Sequence, residues 1–301
     1  MAGKKLIVLV MSVGPYEKNG TAKWLEQLGG TEHMYVVLPK QFKNNEKSYH
    51  DRGIKTYIYN EQQYINNDFE FFGFKPRNCG GVGRQGIAEA VDVFAAPDTL
   101  FLQLDDDTGS INLRKRKLID GKIVWKSHSI RKFATLELLM NAFDDFYNET
   151  GIKVQGATGA TPLGDDKFFF ANRKIFNNFL MYPDDEFKGK GFRYLCSDDV
   201  LYNYTKNIIG GVPMASVAFS TITFNQNQGD REDGNAPLYN KDCSWKKSYC
   251  LRMFNPLLSI QYIAKEKNRI LFRETLQYSK LYPPIMLADE EGNITHKLLI
   301  T

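Results

Sequence analysis

Apolar residues along the first hundred positions fall into short runs separated by amphipathic or polar stretches. Lys5 to Met11 is a Leu, Ile and Val run, which predicts a buried central strand. "MSVGPYEKNGTAKWLEQLGG" follows as a turn and a short amphipathic helix with Trp24, Leu25 and Leu28 on one face. "MYVVLP" (34–39) and "KTYIYN" (55–60) predict the second and third strands. Three glycines in four residues at 80–83 then lead into a helix expected from Gln85 to about Ala95, and Thr99 to Leu104 is the next strand. Strands alternating with helices predict a parallel sheet with crossover helices.

Beyond residue 110 the pattern changes. "INLRKRKLIDGKIVWKSHS" (111–129) alternates on both sides of Asp120-Gly121, a dipeptide suited to a tight hairpin turn. Phe133, Leu136, Leu139, Met140 and Phe143 recur at helical spacing and predict a helix over 131–149. Residues 154–176 suggest a strand, a loop and another strand or short helix, and 214–226 alternates like a strand. Ser197 is a good N-cap for a helix over 197–208. Residues 225–248 form a long polar loop, 255–272 is expected to be helical, and "NITHKLL" suggests a C-terminal strand. No repeat or composition break divides the 301 residues, so one domain is expected over 1–301.

Composition narrows the function classes only slightly. The excess of 39 basic over 35 acidic side chains is too small to announce a nucleic-acid binder, so local clusters must carry any such reading. The apolar run near the start is too short to span a bilayer and no cleavage site follows it. No membrane partner and a cytoplasmic location are therefore expected. Cys79, Cys196, Cys243 and Cys250 have neither zinc-site nor finger spacing, which suits free thiols.

The chemistry concentrates at "FLQLDDDT" (101–108), where a buried strand runs into three carboxylates. Strand alternation lets Asp105 and Asp107 face one side together. Two converging carboxylates, completed by water and a diphosphate, suit Mg²⁺ or Mn²⁺. The plainer reading is an acidic turn solvated at the sheet edge. Upstream, "GGVGRQG" (80–86) offers backbone N–H groups and a helix dipole to an anion, with Arg84 able to clamp it. Alone, it is also an ordinary glycine-rich start to a helix.

A basic residue in a glycine-rich helix start, a helix, and a strand ending in Asp-x-Asp together resemble the nucleotide-sugar half of a GT-A glycosyltransferase. The resemblance covers roughly residues 4–110 and is looser over 111–301, the acceptor half. It implies an α/β fold with a GT-A-like, Rossmann-type mixed central sheet flanked by helices. It also implies a UDP-sugar donor and a Mn²⁺ or Mg²⁺ ion. Gly83 and Arg84 would meet the diphosphate, with Asp105 and Asp106 at the nucleotide and Asp105 and Asp107 on the metal. His296, the only late histidine, would complete the metal shell in that family, although a lone histidine in such a strand is more often a surface residue. An acidic pair at a helix start, Asp198 and Asp199, matches the family's base position. Such a base would take the proton from an acceptor hydroxyl. The same two acids suit a helix N-terminus on electrostatic grounds alone, and Asp184–Asp185 and Asp165–Asp166 are rival pairs.

Arg114, Lys115, Arg116 and Lys117 form a basic run just after the acids, and Trp245, Lys246 and Lys247 interleave an aromatic ring with charge. Each is read singly as a solvated face; together they suit a phosphate backbone. The layout "GVGRQGIAEAVD…LFLQLDDDT" is similar to phage and TET/JBP-associated DNA glycosyltransferases. That similarity implies double-stranded DNA carrying 5-hydroxymethylcytosine as acceptor, in a host cytoplasm, with arabinose among the sugars transferred. A GT-A enzyme acting on a glycan or protein, a sugar nucleotidyltransferase, or a non-enzymatic DNA-binding module are the competing readings.

Overall fold

The computed structural model describes residues 4–65 and 80–150 and, beyond them, the strands named below. Four strands build the first half of the sheet: β1 (Lys5–Met11), β2 (Met34–Pro39), β3 (Lys55–Tyr59) and β4 (Thr99–Asp105). They are mutually parallel where they pair, with β1 between β2 and β4. Helices α1 (Gly20–Gln27), α2 (Glu46–His50) and α3 (Gly80–Phe94) connect them, as parallel pairing requires. The long hairpin of β5 (Thr108–Ile119) and β6 (Lys122–Ser129) follows, then α4 (Phe133–Thr150).

The described strands of the second half are β7 (Val154–Thr158), β8 (Phe169–Ala171), β9 (Phe179–Met181) and β10 (Pro213–Thr223). They extend the sheet to ten strands in the order β3-β2-β1-β4-β9-β7-β10-β5-β6, with β8 beside β10. The strand β9 runs antiparallel to both β4 and β7, so the sheet is mixed. The expected mixed central sheet flanked by helices is therefore present.

Register divides the sheet into two chemically different faces. Leu6, Val8 and Val10 lie beside Leu100, Leu102 and Leu104, and all six are buried. They join Trp24, Leu25 and Leu28 of α1 and Phe133, Leu136, Met140 and Phe143 of α4 in one apolar core. Truncating one of these leucines to Ala is worth roughly 2–5 kcal/mol. On the opposite face Ile7, Leu9 and Met11 lie beside Phe101, Gln103 and Asp105, and α3 packs there. Polarity on that face rises toward the carboxyl ends of the strands.

The elements end for local reasons. Asn19 caps α1 by accepting the Ala22 N–H at 2.8 Å. Gly29, at φ 79°, closes the helix, and the Gly30 N–H donates to the Leu25 carbonyl at 2.9 Å. The β5–β6 turn places Asp120 at φ 50° and Gly121 at φ 74°, the paired left-handed conformation of a two-residue hairpin.

Two expectations are corrected. The segment 255–272, expected to be helical, instead contributes β11 (Ser259–Glu266) and β12 (Arg269–Leu276), paired antiparallel. Ile260, Tyr262 and Ala264, like Ile270 and Phe272, alternate with other residues, a period of two that the longer apolar stretch obscured. The helix after the glycines begins at Gly80, five residues before the expected Gln85. Its glycines belong to the helix, where Gly83 and Gly86 serve packing. The C-terminal strand is present as β14 (Ile294–Leu298), paired with β13 (Ile285–Ala288). Among the described residues no helix is long and apolar enough to cross a membrane.

Candidate functional site

Strands β1 and β4 end side by side, with Met11 opposite Asp105. The chain after β1 and the Asp106–Asp107 turn after β4 thus meet at one sheet edge. Ligands of open α/β sheets collect at such carboxyl ends.

Three residues lock that meeting point. Ser12, nearly buried, donates its hydroxyl to Asp106 Oδ2 at 2.9 Å and accepts the Gly14 N–H at 3.2 Å. Tyr49 of α2, fully buried, donates to the Gly14 carbonyl at 2.8 Å and receives Asn19 Nδ2 at 3.1 Å. Burial pushes the Tyr49 phenol up to about 12, aided by the Asp106 charge and opposed by its contacts with Ser12 and Asn19. Thr21, in the first turn of α1, donates its hydroxyl to the Asp105 carbonyl and accepts the Thr108 N–H at 2.8 Å. Its own N–H donates to the Asp106 carbonyl at 3.2 Å. The acidic turn is therefore fastened by backbone bonds to a helix N-terminus, whose dipole favours negative charge.

From the other face α3 brings Arg84. Its side chain is 2% exposed, and Nη2 lies 3.4 Å from Asp105 Oδ1, whose side chain is 16% exposed. The separation is longer than a charge-assisted hydrogen bond, so the pair is primarily coulombic. Two glycines permit this approach. A Cβ on Gly83 would fall 2.1 Å from Met11 Sδ, and one on Gly86 would fall 2.4 Å from the Tyr59 ring. Gly83, expected to present its amide to an anion, is also the point where α3 touches β1.

The three consecutive acids are thus in different environments, although all are half-buried. Asp105 faces a guanidinium, Asp106 receives a hydroxyl, and Asp107 closes the turn into β5. Among the described residues no group of three or more His, Cys, Asp and Glu side chains is arranged to hold a metal. A cation here would accordingly use one or two of these carboxylates and take further ligands from phosphate and water, the usual habit of Mg²⁺, with room left for another side chain.

The structure brings Gly83, Arg84, Asp105, Asp106 and Asp107 together at one edge. Arg114 to Lys117 lie in β5, on the hairpin that begins directly after the acids; Lys117 is exposed. His296 lies in the backbone of β14, opposite Leu287. Asp198, Asp199, Trp245, Lys246 and Lys247 lie outside the described residues, as do the rival pairs Asp165–Asp166 and Asp184–Asp185 and the loop 225–248. Sequence reasoning missed Ser12, Asn19, Thr21 and Tyr49. A small polar residue directly after a buried strand was the available signal for Ser12, but Tyr49 is brought in from α2 by tertiary packing alone.

No family model matches the chain, and no curated protein matches it. Among solved structures it is similar to a mycobacterial protein, at 7% identity over 91% of this chain and 84% of that one, with a TM-score of 0.46. It is also similar to glucosyl-3-phosphoglycerate synthase from Mycobacterium tuberculosis, solved with Mn²⁺, UDP and phosphoglyceric acid. That match has 7% identity over 91% of this chain and 87% of that one, with a TM-score of 0.44. A cytidylyltransferase from Leptospira borgpetersenii is similar at 13% identity and a TM-score of 0.31, over 60% of this chain and 61% of that one. The chain thus spans about three fifths of that enzyme's length. None of these likenesses carries a function to this chain.

Proposed function

We propose that the chain is a metal-dependent glycosyltransferase that moves a sugar from a UDP-sugar to the hydroxymethyl group of 5-hydroxymethylcytosine in double-stranded DNA. The observation that supports it most is the acidic turn at the end of β4, braced by Ser12, Thr21 and Arg84 at the carboxyl edge of a parallel sheet. Arg84 and the N-terminus of α1 bring positive charge to the edge where a diphosphate would lie, beside the acids that would meet a cation.

In this reading Asp107 and Asp105 hold Mn²⁺ or Mg²⁺, with His296 the candidate to join them. When bound, the cation stabilises negative charge on the departing diphosphate. Ser12 fixes the Asp106 carboxylate for the nucleotide, and Arg84 supplies positive charge behind Asp105 while the Gly83 amide approaches the diphosphate. Asp198 or Asp199 is the candidate base. It removes the proton of the acceptor hydroxyl as that oxygen bonds to the anomeric carbon and the carbon–diphosphate bond breaks, releasing UDP.

The test is UDP-sugar turnover with DNA containing 5-hydroxymethylcytosine, with and without Mn²⁺. UDP release with a matching mass increase of the DNA, dependent on the metal, is the expected result. UDP release without a DNA mass change would reassign the acceptor to a glycan or protein. Absence of both would remove the reading.

A further inference from the structure

The sheet does not end at its last full strand. β10 pairs with β5 over Thr108 to Leu113, whereas β6 stays paired with β5 out to Ile119 and Lys122. Residues beyond Leu113 therefore form a two-stranded ribbon at the edge of the sheet, closed by the narrow Asp120–Gly121 turn.

Register places Lys117 opposite Val124 and Ile119 opposite Lys122, with Lys126 two residues beyond Val124 along β6. Directly opposed residues and those two apart share a face. Lys117, Lys122 and Lys126 consequently line one face of the ribbon, and all three are exposed, as is His128. No carboxylate among the described residues pairs with those three lysines. Residues 108–132 contain eight Lys and Arg against one acid, Asp120. The remainder of the chain has 31 basic and 34 acidic side chains, so the whole positive excess sits on the hairpin and the three residues that follow it. In the register Lys115 stands directly opposite Lys126.

We infer that the β5–β6 hairpin is an arm that docks double-stranded DNA through Lys117, Lys122 and Lys126. The inference rests on the acceptor reading above and names the element that would hold that acceptor. Its geometry favours a duplex over a small anion. Thr108 to Lys117 spans nine residues of extended chain, on the order of 30 Å. A ligand engaging both the acidic turn and the lysines must cover that length, which is about nine phosphates of one DNA strand. A ribbon two strands wide also fits the major groove of B-form DNA, about 12 Å across, and does not fit the deep, narrow major groove of duplex RNA. Leu118, 74% exposed, lies on the opposite face.

Binding of the full chain to a DNA duplex of about 20 base pairs, followed by fluorescence anisotropy across a salt series, tests this. The comparison is with Lys117→Glu/Lys122→Glu/Lys126→Glu, and with Lys122→Gln/Lys126→Gln if the triple variant melts early. The wild type should bind with a steep salt dependence. The triple variant should bind about tenfold or more weakly, with a salt slope shallower by about one per lysine removed. Absence of wild-type binding, or an unchanged affinity and slope in the variant, would overturn the arm. Equal or tighter binding to a duplex RNA of the same length or to anionic vesicles would also overturn it. Mn²⁺-dependent UDP binding, measured without DNA, tests the donor reading separately, so either reading can fail alone.

Discussion

Arg84 and Asp105 face each other across the α3–sheet interface at 3.4 Å, with the arginine almost wholly removed from solvent. A buried guanidinium is tolerable only beside a counter-charge, and the counter-charge belongs to the first of three consecutive acids. The pair therefore gives Asp105 a structural duty in addition to any role toward a ligand.

Replacing Arg84 by Met should lower stability by about 3 kcal/mol, because Asp105 loses the guanidinium charge beside it. Arg84→Met combined with Asp105→Asn should recover a large part of that loss, since both charges then leave together. Urea midpoints of the two single variants and the double variant measure the coupling. Strict additivity would show that the two groups do not interact.

Asp107 closes the turn that leads from β4 into β5. Asp107→Ala should abolish metal-dependent turnover while leaving the melting midpoint close to wild type. Near wild-type activity in that variant would overturn the metal assignment. Loss of activity together with a large fall in the midpoint would instead assign Asp107 to the turn.

The glycines of α3 offer a test of sign. Gly→Ala in a helix is ordinarily favourable by about 1 kcal/mol. Here Gly86→Ala should destabilise, because its Cβ would overlap the buried Tyr59 ring, and such overpacking costs roughly 1–3 kcal/mol. Gly83→Ala should cost less, since the flexible Met11 side chain can move aside. Thermal midpoints at or above wild type for Gly86→Ala would show that α3 is not held this closely.

Tyr49 predicts an alkaline limit. Its ordinary value near 10 is raised to about 12 in the folded chain, chiefly by burial. The folded state thus favours the protonated phenol. That contribution is complete below about pH 10 and is lost as pH rises through about 12. Tyr16, raised to about 12 by burial and by its hydrogen bond to Glu26, acts in the same direction. Tyr49→Phe should be less stable than wild type at pH 8, having lost the bond to Gly14, but should lose less between pH 10 and 12. Parallel urea midpoints for the two proteins across that range would contradict the assignment.

The first half of the fold was legible because its apolar runs are short, β-branched and cleanly interrupted; β1 and β2 fall where Lys5–Met11 and 34–39 placed them. The Asp120–Gly121 hairpin was legible from turn chemistry. The start of α3 was not, because glycine disfavours helix locally and only the proximity of Met11 and Tyr59 explains why Gly83 and Gly86 lie inside one. The strands β11 and β12 were hidden by a continuous apolar stretch in which periods of two and of 3.6 are hard to separate. At the site, the acids and Arg84 stand out as residue types. Ser12, Thr21 and Tyr49 are ordinary residues given their importance by contacts up to 94 positions apart in the chain.

The bond from the Thr21 amide to the Asp106 carbonyl makes one backbone hydrogen a witness to the turn. That hydrogen exchanges with solvent only when α1 and the turn part. A cation and diphosphate settling on Asp105 to Asp107 should slow its exchange for deuterium even though no ligand atom need touch it. The amide of Thr108, held by the Thr21 hydroxyl, should slow with it.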